Sequence, residues 1–187
     1  GNAARVHWLQ RDVDTTIEVL NNPIFADQDA SRVFETVRDY QLANAYRVKG
    51  ELEKAQTYYE QIIAKRDSVE RSALQVKFYG GMNIALSLAW LGRFDEALAL
   101  IEQLANDNPP EKDALLGSGI LAPRAMIKGL AGNQEAAIED LAIALQSTHA
   151  FPLTAWDLYY DPNWDFMRDN PRFVELATPP VTIRTTP

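Results

Sequence analysis

A chain of 187 residues, 47% of them hydrophobic and with a formal net charge of −8, can build one domain with a real core or a short repeat array, and is too apolar to be a disordered chain. It has no cysteine, which excludes disulfides, thiolate metal sites and cysteine nucleophiles. No cluster of Lys and Arg suits a phosphate backbone and no apolar run reaches the roughly 18 residues of a membrane helix, so neither nucleic acid nor membrane is an expected partner. Cytosol and periplasm are both compatible with such a chain, with the cytosol favoured. No signal peptide is visible, and a start at Gly1 without Met reads as a piece of a longer protein.

The first stretch, to about Gln10, reads as the latter part of a helix whose beginning lies further upstream, with His7 and Trp8 on it and Trp8 packing on the next unit. "RDVDTTIEVLNNP" follows, with Val13 and Leu20 apolar and Thr16 between them. "DYQLANAYRVK" then leads through Gly50 into "GELEKAQTYYEQII". "GGMNIALSLAWL" leads through Gly92 into "GRFDEALALIEQL", and "APRAMIKGLA" through Gly132 into "GNQEAAIEDLAIAL". Each reads as helix, glycine turn, helix, with the glycine ending the first helix in the left-handed conformation that glycine adopts cheaply.

Small residues recur in register. Ala43, Ala85 and Ala125 lie seven residues before the glycine, and Ala55, Ala97 and Ala137 five after it; they let paired helices approach closely. Thr16, Ala55, Ala97 and Ala137 are 39, 42 and 40 residues apart, and Ala4 sits twelve before Thr16, as Ala43 does before Ala55. A fixed period of this size is the mark of a solenoid, whose units bury apolar faces on their neighbours. Two features depart from the frame: Arg11 replaces the first turn glycine, and Gln134 stands where Leu52 and Phe94 are apolar. A helical bundle with glycine turns is the alternative.

These residues resemble the tetratricopeptide repeat, with its small helix contacts, turn glycine, aromatic in the second helix and closing proline, here Asn108-Pro109. The usual period is about 34. The extra residues are expected in an extended first helix, "SVERSALQVKFYGGMNIALSLAWL", and in the loop "NDNPPEKDALLGSG". The resemblance implies an all-α, right-handed solenoid of antiparallel helix pairs with a C-terminal helical cap. It divides into a partial repeat at 1–24, repeats at about 30–66, 70–109 and 113–149, a cap at 152–177 and a disordered tail at 178–187.

The cap is "FPLTAWDLYYDPNWDFMRDNPRFVELA", in which Asp161 caps a short helix and Arg168 and Arg172 tie the segment down through carboxylates or free carbonyls. "DPNWDFMRDNPRF" is similar to the endings of tetratricopeptide arrays in multidomain bacterial signalling proteins. There the array follows a protein kinase, a nucleotide cyclase or a winged-helix DNA-binding domain.

Residues suited to chemistry are sparse. His7 and His149 share no metal-ligand spacing. "GSG" at 117–119 lacks the strand and lysine of a phosphate loop and reads as an inter-repeat loop. Glu51/Glu53 and Asp95/Glu96 suit the first turns of second helices, where negative charge favours the helix dipole. The paired glycines of "FYGG", 78–81, cost a helix about 1–2 kcal/mol. They imply either close helix packing, which is favoured, or a break for a ligand. No catalytic, cofactor or metal site is expected.

In the resembled family the first helix of each unit lines a concave groove. By register the groove residues are Tyr40, Asn44 and Arg47, then Tyr79, Met82, Asn83, Leu86 and Trp90, then Ala122, Met126 and Gly129, with Lys128 near the edge. Such a wall suits an apolar or amphipathic peptide, with Trp90 the foremost anchor. Some relatives clamp a peptide's terminal carboxylate with Lys, Asn and Arg; Tyr40, Gly119 and Pro123 break that pattern here. The expected function is non-catalytic binding of a protein or peptide within a bacterial signalling protein. Two other classes stay open: a small-molecule sensor built around Tyr79 and Trp90, and a self-association module that forms a homodimer.

Overall fold

A computed structural model describes residues 2–23, 32–109, 114–147 and 153–179, and among these every regular element is a helix. Four antiparallel pairs follow in order: α1 (Asn2–Leu9) with α2 (Val13–Asn21), α3 (Arg32–Lys49) with α4 (Leu52–Ala64), α6 (Leu74–Trp90) with α7 (Phe94–Asp107), and α9 (Leu121–Leu130) with α10 (Gln134–Ala144). Short helices α5 (Arg66–Glu70) and α8 (Ala114–Gly119) lie between pairs. The C-terminal part is α11 (Ala155–Tyr160), a 3-10 helix (Pro162–Met167) and α12 (Pro171–Ala177).

One turn joins the helices of every pair. Gly50, Gly92 and Gly132 sit at φ 85°, 76° and 89°. At Gly50 the glycine N–H donates to Arg47 O at 3.1 Å and the next N–H, of Glu51, to Tyr46 O at 2.9 Å. This pair of hydrogen bonds satisfies carbonyls that the end of the helix would leave bare. The same pair of bonds recurs at Gly92 and Gly132. It recurs again at Arg11, the one non-glycine residue at positive φ (60°) among those described. The first unit thus makes the shared turn without the shared residue.

Ala4, Ala43, Ala55, Ala85, Ala97, Ala125 and Ala137 are all buried, as is Thr16. They lie on the paired helices, which pack against one another. Successive first helices also touch, α3 with α6 and α6 with α9. A continuous apolar core runs from Ile62 and Val69 through Phe78, Ile101 and Leu141 to Trp164, Phe173 and Ala177. A smaller cluster of Ala4, Leu20 and Leu42 joins the first unit to α3.

The expected long first helix of the third unit is two helices. The chain turns at Arg71–Ala73, where the Ser72 hydroxyl donates to Ser68 O at 2.7 Å and competes with the helical pattern. The break lets α5 fold back on α6 and bury Val69 over Gly80. A Cβ on Gly80 would lie 2.8 Å from Val69 Cγ1, and one on Gly81 3.0 Å from Leu104 Cδ1. The paired glycines therefore serve close packing, within a helix assigned without a break from Leu74 to Trp90. "GSG" is the end of α8 and not a loop: partly buried Leu116 and buried Ile120, on either side of it, pack on the core and keep the backbone coiled. The segments 24–31 and 110–113, His149 and most of the expected tail lie outside the described residues.

Candidate functional site

Tyr40, Asn44 and Arg47 recur on α3 at helical spacing, so they share a face. Trp90, at the end of α6, meets that face. The Arg47 guanidinium lies over the Trp90 ring, 3.7 Å from its centroid, and the Trp90 indole N–H donates to the Tyr40 hydroxyl oxygen at 3.2 Å. Asn44 is only 3% exposed and accepts from the Tyr59 hydroxyl at 2.7 Å. Burial pushes both phenols, Tyr40 and Tyr59, above the usual tyrosine range. This is a cation–π and hydrogen-bonded cluster built on two first helices.

The other register positions fall differently. Tyr79 packs edge-on against Phe78, with ring centroids 5.3 Å apart, and it and Met82 border the core. Asn83 donates to the Thr36 hydroxyl at 3.4 Å, linking α6 to α3. Leu86 and Met126 are buried in the core. Lys128 binds the buried Asp140 carboxylate of α10 at 2.8 Å, and Arg124 binds it at 2.9 and 2.7 Å.

The C-terminal segment covers the cluster. Arg47 donates to Asn163 Oδ1 at 2.7 Å, and Phe166 meets Trp90 edge-on with centroids 6.2 Å apart. Gly129 of α9 has no side chain because Phe166 and Met167 stand there; a Cβ would lie 2.8 Å from the Phe166 ring. On α1, Arg5 pairs with Asp157 and the Trp8 indole N–H donates to Asp161 Oδ1 at 2.9 Å. Arg11 binds Asp165 through two nitrogens at 2.9 and 2.6 Å. The segment thus touches the first helix of every unit. Trp8 is buried and gives its N–H to this segment.

Local chemistry fixes the segment's own shape. Thr154 and Asp157 cap α11 reciprocally. Asp161 caps the 3-10 helix, accepting from the Asn163 N–H at 2.8 Å, with Pro162 at its first position. Asn170 caps α12, and Arg172 pairs with Glu135 of α10. Arg168 donates to the Asp165 carboxylate and the Asp161 carbonyl, the two kinds of acceptor expected of it. Burial raises the pKa of Asp161 despite its donors. For Asp165 burial also pulls upward, but the hydrogen bonds and charges of Arg11 and Arg168 outweigh it and leave the carboxyl below its usual value.

Sequence register missed the segment's role as the cover of this face, together with Arg5, Arg11, Asn163 and Phe166. The available signal was the spacing: Asp157, Asp161 and Asp165 are four apart, and Arg5, Trp8 and Arg11 three apart.

Among the described residues no group of His, Asp and Glu is placed to hold a metal, and no helix is long and apolar enough to cross a membrane. The fold is an all-α array of antiparallel helix pairs, tetratricopeptide-like in its repeated glycine turn. The tetratricopeptide repeat family model matches residues 39–68 and 81–110, two glycine-turn units, and supports a tetratricopeptide-repeat domain. Such repeats generally mediate protein–protein interaction, and their family is typically non-catalytic. Neither a curated protein nor a solved structure matches the chain.

Proposed function

We propose that this chain is a non-catalytic, protein-binding module of a bacterial signalling protein, and that it binds a protein or peptide through the face formed by its first helices. The observation that carries the binding reading is that this face already holds a polypeptide, the chain's own C-terminal segment, by ion pairs, hydrogen bonds and aromatic contacts. Of the residues assigned by register, Tyr40, Arg47 and Trp90 are the ones such a ligand touches or rests beside. Asn44 orients them from below, and Tyr79, Met82, Asn83, Leu86 and Met126 support the wall. The signalling context rests on the resemblance of "DPNWDFMRDNPRF" to array endings in such proteins.

The test is capture on immobilised wild-type chain, followed by titration of each identified partner against wild type, Arg47→Ala and Trp90→Phe, with thermal stability read on the same preparations. Truncating a central anchor costs a binder about 2 kcal/mol or more. Unchanged affinity in both folded variants would sink the assignment of this face.

A further inference from the structure

Residues 157–168 make contacts of two kinds. At one end Phe166 and Met167 seat against Gly129, continuous with the core that ends in Phe173 and Ala177. At the other, three acidic side chains make polar contacts with α1 and the turn after it: Asp157 with Arg5, Asp161 with Trp8, Asp165 with Arg11. The Arg5 and Arg11 side chains are 53% and 49% exposed. Ion pairs this exposed are weak, screened by salt, and open to exchange with a competing carboxylate. The protein carries a net charge of −8, yet this face presents Arg5, Arg11 and Arg47 together. The chain therefore displays what the face accepts: carboxylates four residues apart in sequence and, at the end seated on Gly129, an aromatic ring set edge-on to Trp90.

We propose that the first-helix face is a site for an acidic, aromatic peptide segment, and that residues 157–168 of the same chain occupy it in cis. This rests on the reading of that face as the protein-binding surface, and it names the chemistry of the partner. An incoming segment replaces the cis carboxylates at Arg5 and Arg11 one for one, so it strands no charge.

The test is fluorescence anisotropy of a labelled peptide spanning residues 153–172, titrated with the full chain as wild type and as Asp157→Asn/Asp165→Asn. The double substitution removes the cis charges that face Arg5 and Arg11 and leaves both arginines in place. The expected result is about tenfold tighter binding by the variant, weakened by added salt. A control peptide carrying Asp157→Asn, Asp161→Asn and Asp165→Asn is expected to bind the variant less well. Equal affinity of wild type and folded variant for the acidic peptide overturns the proposal. Equal affinity of the variant for acidic and neutral peptides also overturns it, while leaving the face standing as a peptide site. Binding of neither peptide to either protein overturns both. Asp165→Asn alone supplies the same comparison should the double variant not fold.

Discussion

Arg11 grips Asp165 with two guanidinium nitrogens, at 2.9 and 2.6 Å, from a backbone held at φ 60°. The other three units place glycine at this point of the turn. A side chain in the left-handed region costs roughly 1–2 kcal/mol, and an exposed ion pair returns about 0–1 kcal/mol. The two substitutions at this site should separate the terms. Arg11→Gly relieves the strain and loses the pair, so its stability should lie within about 1 kcal/mol of wild type. Arg11→Ala keeps the strain and loses the pair, and should be the least stable of the three. Urea denaturation gives the order; an Ala variant as stable as the Gly variant would show that the turn is unstrained.

Gly80→Ala tests the close approach of α5 to α6. On an open helix alanine would stabilise by about 1 kcal/mol. Here its Cβ would meet Val69 Cγ1 at 2.8 Å, and a β-branched side chain has little freedom to turn away. A net loss of about 1–2 kcal/mol is expected, with recovery in the double variant Gly80→Ala/Val69→Ala. Gly81→Ala should be milder, because Leu104 presents the far end of a flexible chain. Thermal melts of the four proteins would decide it, and a stabilised Gly80→Ala would contradict the packing.

The turn glycines and buried alanines made the helix pairs legible in sequence, because both follow from local backbone and close-packing requirements. The first unit was harder to see, since Arg11 fills a conformation that sequence assigns to glycine. The break at Arg71–Ala73 was hidden by apolar periodicity that continues through it. On the face itself, register placed Tyr40, Arg47 and Trp90 near one another, because helical spacing determines which way a side chain leaves the helix. What covers those residues was not legible. Asp161 and Trp8 are 153 residues apart, and a contact that distant leaves no local pattern beyond the three- and four-residue spacings of its two halves.

Gly129→Ala should loosen the segment without touching a charge. Helix propensity again favours alanine by about 1 kcal/mol. Its Cβ would lie 2.8 and 3.2 Å from Phe166 ring carbons and 3.1 Å from Met167 Sδ. The thioether can yield, but the ring is held between Trp90 and Trp164. The expected outcome is a displaced ring: a shifted Trp90 indole N–H resonance and faster amide exchange across 162–168. A stabilised protein with unchanged Trp90 would mean that the segment sits further from α9.

Asp161 and Asp165, four residues apart, should pull stability in opposite directions with pH. Asp165 lies below its usual pKa when folded, so the stability it contributes is present above the unfolded value and is lost as pH falls through the folded one. Asp161 lies above its usual value because burial disfavours its charge. Between the unfolded pKa and that raised value the folded chain binds more protons than the unfolded one, so stability falls as pH rises through this window. Asp161→Asn removes the buried charge and keeps both jobs of the side chain, since asparagine caps a helix as well as aspartate and its oxygen can still accept from Trp8. The variant should match or exceed wild-type stability at neutral pH, and its advantage should shrink as the solution is acidified. Trp8→Phe, which withdraws the indole donor from the carboxylate, should raise Asp161 further and steepen the same dependence. Denaturation midpoints from about pH 4 to 8 for the three proteins measure this. A variant whose deficit is constant across the range would mean that Asp161 is not charged at a cost, and that its bond to Trp8 outweighs its burial.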